Sequence, residues 1–178
     1  MNTKALLFSA FSFIAFAFQS EAAVLVVTNG DFSNLTGLAA QADGWYAGVP
    51  AGWTGNNAST YSVYKTNSNY VANISTLYVH STFTTLSQDV GVIDLAGDVT
   101  LTFDLPGSFG SGSVVYAAIY NAGTGKLITL NSFSTLGTHK LVASNVAAAT
   151  SIRISFWYDG AGSPALDNVS ISAVGVRQ

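Results

Sequence analysis

In the stretch Ser151–Val174, Arg153 and Trp157 fall on one parity, while Ile152, Ile154, Phe156 and Tyr158 fall on the other. A flat indole and a planar guanidinium away from the core are what sugar recognition requires. Aromatic rings lie against the C–H side of a pyranose, and planar polar groups bond its hydroxyls. Tyr116 and Tyr120 hold the same non-core parity on another segment, so Arg153, Trp157, Tyr116 and Tyr120 are candidates for one platform. Trp45 and Tyr46, with Tyr61 and Tyr64, are a second aromatic group in the long early region and candidates for a loop-edge site. Trp53, after Pro50-Ala51-Gly52, is assigned to the core.

Asp167 is the other residue with chemical weight. Counting by twos places it with Val169, Ile171 and Ala173, on the apolar parity. A carboxylate near a core must be hydrogen-bonded, paired or bound to a metal. Catalysis has less to work with. A glycosidase needs two carboxyl groups roughly 5–10 Å apart, and Asp31, Asp89, Asp98 and Asp104 sit in turns or on alternating faces without a convergent motif. His80 and His139 lack metal-ligand spacing, and the chain has no Cys to act as a nucleophile. Four Asn-x-Ser/Thr matches, at Asn34, Asn57, Asn73 and Asn168, are what a Ser/Thr/Asn-rich chain yields by chance.

The elements that must position these residues are strands. Val99, Leu101, Phe103 and Leu105 alternate with Asp98, Thr100, Thr102 and Asp104, the pattern of a strand buried on one side. Similar runs are expected over Val24–Val27, Leu77–His80, Thr84–Val90, Val114–Tyr120, Lys126–Leu130 and His139–Ala143, with Gly and Asn/Asp clusters between them. Ser151–Val174 reads as a hairpin closed by a Gly/Ser/Pro turn, and Asn34–Asn73 reads as irregular. Many short strands with turn signals predict a sandwich or barrel.

Composition sets the class and the address. The chain has 178 residues, 49% hydrophobic and only 8% charged, with a net charge of −3. That balance excludes a disordered chain and offers no basic stripe for nucleic acid. Lys4, the apolar run Ala5–Phe18 and Ser20-Glu21-Ala22 form a secretory signal over residues 1–22. The apolar run is shorter than the roughly 20 residues of a membrane span, so no span is expected after cleavage. Residues 23–178 then form a single domain. Without Cys there is no disulfide framework, and stability must come from core, sheets and a possible metal ion.

Three segments carry a resemblance. Val27-Thr28-Asn29-Gly30-Asp31-Phe32 followed by Pro50-Ala51-Gly52-Trp53 is similar to the opening of galactose-binding-domain-like jelly rolls, among them carbohydrate-binding module families 4, 9 and 22. Leu86–Val90 with Val99–Leu105 resembles their central strand pair, and Ala165–Ile171 resembles their closing strand. The same closing strand occurs in secreted bacterial proteins with a Pro-Glu-Pro sorting tail, which this sequence does not show before Gln178. The resemblance implies an all-β antiparallel jelly-roll sandwich. It also implies a structural calcium ion, held by Asp167 of the closing strand and by Asn29, Gly30 and Asp31 of the opening turn. Ser33 stands where the opening turn usually supplies a Glu. The alternative for Asp167 is a turn cap bonded to backbone N–H groups.

The expected function is that of a secreted, non-catalytic module, extracellular, cell-surface or periplasmic, that binds polysaccharide or another glycan. The alternative is a self-associating structural protein of a matrix, surface layer or filament, suggested by low charge and high apolar content.

Overall fold

Alternation of apolar and polar residues decides which side of each strand is buried. The computed structural model describes residues 24–55, 61–66, 69–74, 85–107, 113–160 and 164–175. In them the chain forms β1 (Ala39–Ala40), β2 (Trp45–Ala47), β3 (Thr54–Gly55), β4 (Tyr61–Thr66), β5 (Asn69–Ile74), β6 (Leu86–Val92) and β7 (Gly97–Leu105). It continues with β8 (Val114–Asn121), β9 (Leu127–Phe133), β10 (Gly137–Val146), β11 (Ser151–Asp159) and β12 (Ala165–Gly175). The strands pair antiparallel in two sheets, ordered β1-β2-β4-β5-β12-β7-β10 and β3-β6-β11-β8-β9. The architecture is an all-β jelly-roll sandwich: a sandwich is one of the two outcomes the alternation predicts, and the jelly roll is what the resemblance implies.

The core lies between the sheets. Val99, Leu101, Phe103 and Leu105 from β7 meet Val115, Ala117 and Ile119 from β8 and Ile152, Ile154 and Phe156 from β11, all fully buried. A chain of rings runs through it. Phe32 lies 5.5 Å from Trp53, Trp53 6.2 Å from Phe156, Phe156 5.1 Å from Phe103, and Phe103 5.1 Å from Phe133. Trp53 is therefore a core residue, as its turn suggested. Buried Gln88 bonds both the N–H and the C=O of Thr28 and the C=O of Gly52, joining β6 to both early turns.

The opening turn is seated on β12. The Gly30 carbonyl accepts from Val169 N–H at 2.9 Å, and a side chain on Gly30 would collide with the Val169 carbonyl. Asn29, at φ 53°, holds the turn with its own amide, which meets the backbone of Asn34 and Ala51.

Several expectations need correction. The Ser151–Val174 stretch is not a hairpin: β11 and β12 belong to different sheets, so their connection crosses the sandwich. The 34–73 region is not irregular, since it carries β1 to β5, including the hairpin-like pairing of β4 with β5. Val24–Val27 forms no strand, although Val26 N–H reaches the Val90 carbonyl. Residues 1–22, Leu77–His80 and Asn57 lie outside the described residues.

Candidate functional site

Strand β11 is the middle of the five-stranded sheet, and its outward residues set the candidate surface. Trp157 is directly opposite Tyr116, and Arg153 is directly opposite Tyr120. The structure thus brings together all four residues of the first predicted group. The Trp157 and Tyr116 rings lie 5.3 Å apart and 9° from parallel, an offset stack. On the β6 side a bulge gives Arg153 its partner. The register slips between Ile152↔Gly91 and Arg153↔Asp89, with Gly91 at φ 124°. Arg153 Nε and Nη2 bond the two Asp89 carboxylate oxygens at 2.6 and 3.0 Å. The Asp89 carboxyl is held below its usual value, chiefly by the hydrogen bond from Arg153.

Between these two rows lies a lower one. Ser155 is opposite Ala118 on one side and Ser87 on the other, and Ala118 is opposite Leu130. These side chains point outward, yet Ser155 is only 5% and Ala118 0% exposed. Small residues flanked by Trp157 and Tyr116 on one side and Arg153 and Tyr120 on the other form the floor of a slot. Two shallow cavities open beside Arg153, about 260 Å³ over Ser155, Ser87 and Tyr120 and about 300 Å³ over Ser87, Thr54 and Asp89.

The second predicted group is divided. Tyr61 is buried, and Tyr46 packs against the core. Trp45 instead pairs with Tyr64 on the outer face of the seven-stranded sheet, their rings 4.5 Å apart. Trp45 and Tyr46 therefore lie on opposite faces of β2, and neither adjoins Trp157.

Asp167 is buried, 1% exposed, but not on the side expected of it. It is opposite Asp104, whereas Ser170 is opposite Thr102, so β12 contains a bulge around Asn168, which takes φ 48°. The extra residue reverses the parity, and Asp167 shares the outward side with Asp104 while Val169 turns inward. The Asn168 side-chain amide bridges the two carboxylates, at 2.8 Å to Asp104 and 3.5 Å to Asp167. Asp167 also accepts from Asn69 Nδ2 at 3.0 Å and from Asn168 N–H at 2.7 Å. Burial raises its carboxyl, and the charges of Asp104 and Asp31 add to that, while the bonds from Asn69 and Asn168 lower it.

The four residues expected around a calcium ion fit it unevenly. The Asn29 side-chain oxygen already accepts from Asn34 N–H, and the Gly30 carbonyl already accepts from Val169 N–H. The Asp31 carboxylate accepts from Ser33. Asp31 and Asp167 remain the hard oxygen donors, and among the described residues no three His, Asp or Glu side chains form a metal-ligating group.

No family model matches the chain, and no curated protein matches it in sequence. Solved structures do. A family 4 carbohydrate-binding module superposes with a TM-score of 0.53 at 14% identity, over 84% of this chain and 100% of that one. A family 61 module in complex with β-1,4-galactotriose gives 0.51 at 18% identity, over 84% and 99%. The fold is the jelly roll of these carbohydrate-binding modules. The enzymatically active domain of tailspike protein 4 of bacteriophage CBA120 gives 0.50 at 15% identity, over 85% of this chain but 22% of the tailspike. The jelly roll thus spans about a fifth of the tailspike chain that it matches.

Sequence reasoning missed several residues of the jelly roll's outer slot. Asp89 was weighed only as a catalytic acid, and Ser87, Ser155, Ala118, Leu127 and Leu130 were not singled out. Their signal was parity alone, shared with every other outward residue. His139, considered for chemistry, instead packs with Phe103 and Phe133 and bonds the Thr135 carbonyl.

Proposed function

We propose that the protein is a secreted glycan-binding module that acts without catalysis, and that its binding surface is the outer face of the five-stranded sheet. The observation that carries this is the adjacency of the Trp157–Tyr116 stack and the Arg153–Tyr120 pair across a floor of small residues. Rings supply apolar contact to sugar C–H groups, and the guanidinium edge, phenol and serine hydroxyls supply hydrogen bonds. The fold shared with carbohydrate-binding modules supports the reading, as does the signal-like segment at residues 1–22. Trp45 with Tyr64 is a separate aromatic surface on the other sheet. The test is affinity electrophoresis through soluble neutral polysaccharides, with pull-downs on insoluble ones. Retention by at least one polysaccharide is expected, weakened about tenfold by Trp157→Ala, a loss of about 1.4 kcal/mol. Absence of retention on every polysaccharide overturns the reading.

A structural calcium ion belongs to the same proposal. Asp167 and Asp31 would supply carboxylates and the Gly30 carbonyl a further oxygen, tying the opening turn to β12. The support is the burial of the Asp167 carboxylate opposite Asp104, with the opening turn docked next to it through Gly30 and Val169. Calcium should raise the unfolding temperature above its value in EDTA, since a ligand of the native state stabilises by mass action. Identical melting curves remove the ion.

A further inference from the structure

The slot is not chemically uniform from one side to the other. On β6 and β11 its outward residues apart from Trp157 are Ser87, Asp89, Arg153 and Ser155, all polar. On β8 and β9 they are Tyr116, Ala118 and Tyr120, with Ser132 opposite Tyr116, Leu130 opposite Ala118 and Leu127 opposite Tyr120. Leu127 and Leu130 are each 43% exposed. Leucine has no π-face for a sugar ring and no atom for a hydroxyl. Next to a binding slot it gains by covering apolar groups, and methyl or acyl substituents are the most apolar groups a glycan offers.

The charge in the slot is also accounted for. Arg153 meets Asp89 side-on through two bonds, so the pair presents no net charge to a ligand. A carboxylate or sulfate would have to displace Asp89. The floor crosses the five strands rather than running along them, a distance of about 19 Å at the usual strand spacing. That length suits several sugars of a chain.

Resting on the glycan-binding reading, we propose that this slot selects an uncharged glycan that brings acetyl or methyl groups to one end of the bound stretch. The chain lies across the strands, with its hydroxyl-rich end over Ser87 and Arg153 and its acylated end over Leu127 and Leu130. The test uses acetylated glucomannan and acetylated xylan, each beside its saponified form, in affinity electrophoresis of the full-length protein. The acetylated forms should bind about five- to tenfold more tightly, with little change between low and high salt. The double variant Leu127→Ser/Leu130→Ser should bring that ratio close to one, its unfolding midpoint reporting that it remains folded. Equal binding of acetylated and saponified forms, or a preference surviving in the double variant, overturns this proposal and leaves glycan binding standing. Retention of neither form of either polysaccharide also overturns this proposal, while the wider polysaccharide panel decides glycan binding itself.

Discussion

On the five-stranded sheet the carboxylate of Asp89 faces the guanidinium of Arg153. On the seven-stranded sheet the carboxylate of Asp104 faces that of Asp167. Both outer faces also carry an aromatic pair, stacked for Trp157 with Tyr116 and tilted by 31° for Trp45 with Tyr64. The first acid is exposed, ion-paired and beside open cavities. The second is buried, and amides from Asn69 and Asn168 occupy it. Similar side chains thus stand exposed on one face and are locked into the sheet on the other. What separates them is the partner that the strand register assigns.

The largest effect should come from the buried acid. Asp167→Ala removes the acceptor for Asn69 and for the Asn168 N–H and should cost about 2–3 kcal/mol in urea unfolding. Asp89→Ala breaks a surface pair and should cost less than about 1 kcal/mol. Equal costs would erase the distinction between the faces. Next come the aromatic pairs. If Trp157→Ala weakens glycan retention about tenfold while Trp45→Ala changes it less than about twofold, one face binds. Comparable losses would make both faces binding surfaces.

The smallest effect lies in pH, and the two acids differ in sign. In the metal-free protein, burial and the neighbouring carboxylates raise Asp167, so native Asp167 holds its proton more firmly than the unfolded chain does. Its contribution is full below the ordinary carboxylate range and is lost as pH rises through its raised value. Arg153 lowers Asp89, whose small contribution is full above that range and is lost as pH falls through its lowered value. Urea midpoints taken in EDTA from about pH 3 to 7, around the ordinary carboxylate value, should show the first slope disappear in Asp167→Asn and the second in Asp89→Asn.

Faces were legible in the sequence, and partners were not. Alternation through Ile152–Tyr158, Val99–Leu105 and Val114–Tyr120 fixes which side chains are buried, and it gave Trp157, Arg153, Tyr116 and Tyr120 an outward parity. It says nothing about which strand lies alongside. That is why a Gly/Ser/Pro turn between β11 and β12 read as a hairpin when it bridges two sheets. Alternation also fails silently at a bulge: counting by twos through Asn168 sends Asp167 to the wrong side. The Arg153–Asp89 pair depends on another bulge and on residues 64 apart, a distance that no local pattern spans. In β4 and β5 the tyrosines on both faces, Tyr61 inward and Tyr64 outward, hide the period.

The position of β12 governs how the molecule can fold. It lies between β5 and β7, and the opening turn docks on it through Gly30 and Val169. During synthesis one half of the larger sheet therefore exists before the strand that joins it to the other half. The start of the chain likewise waits for the same late segment. Partners so far apart must close long loops before their contacts stabilise anything, which makes folding slow. Until β12 has emerged, the larger sheet of a nascent chain stays in two unjoined parts, β1-β2-β4-β5 and β7-β10.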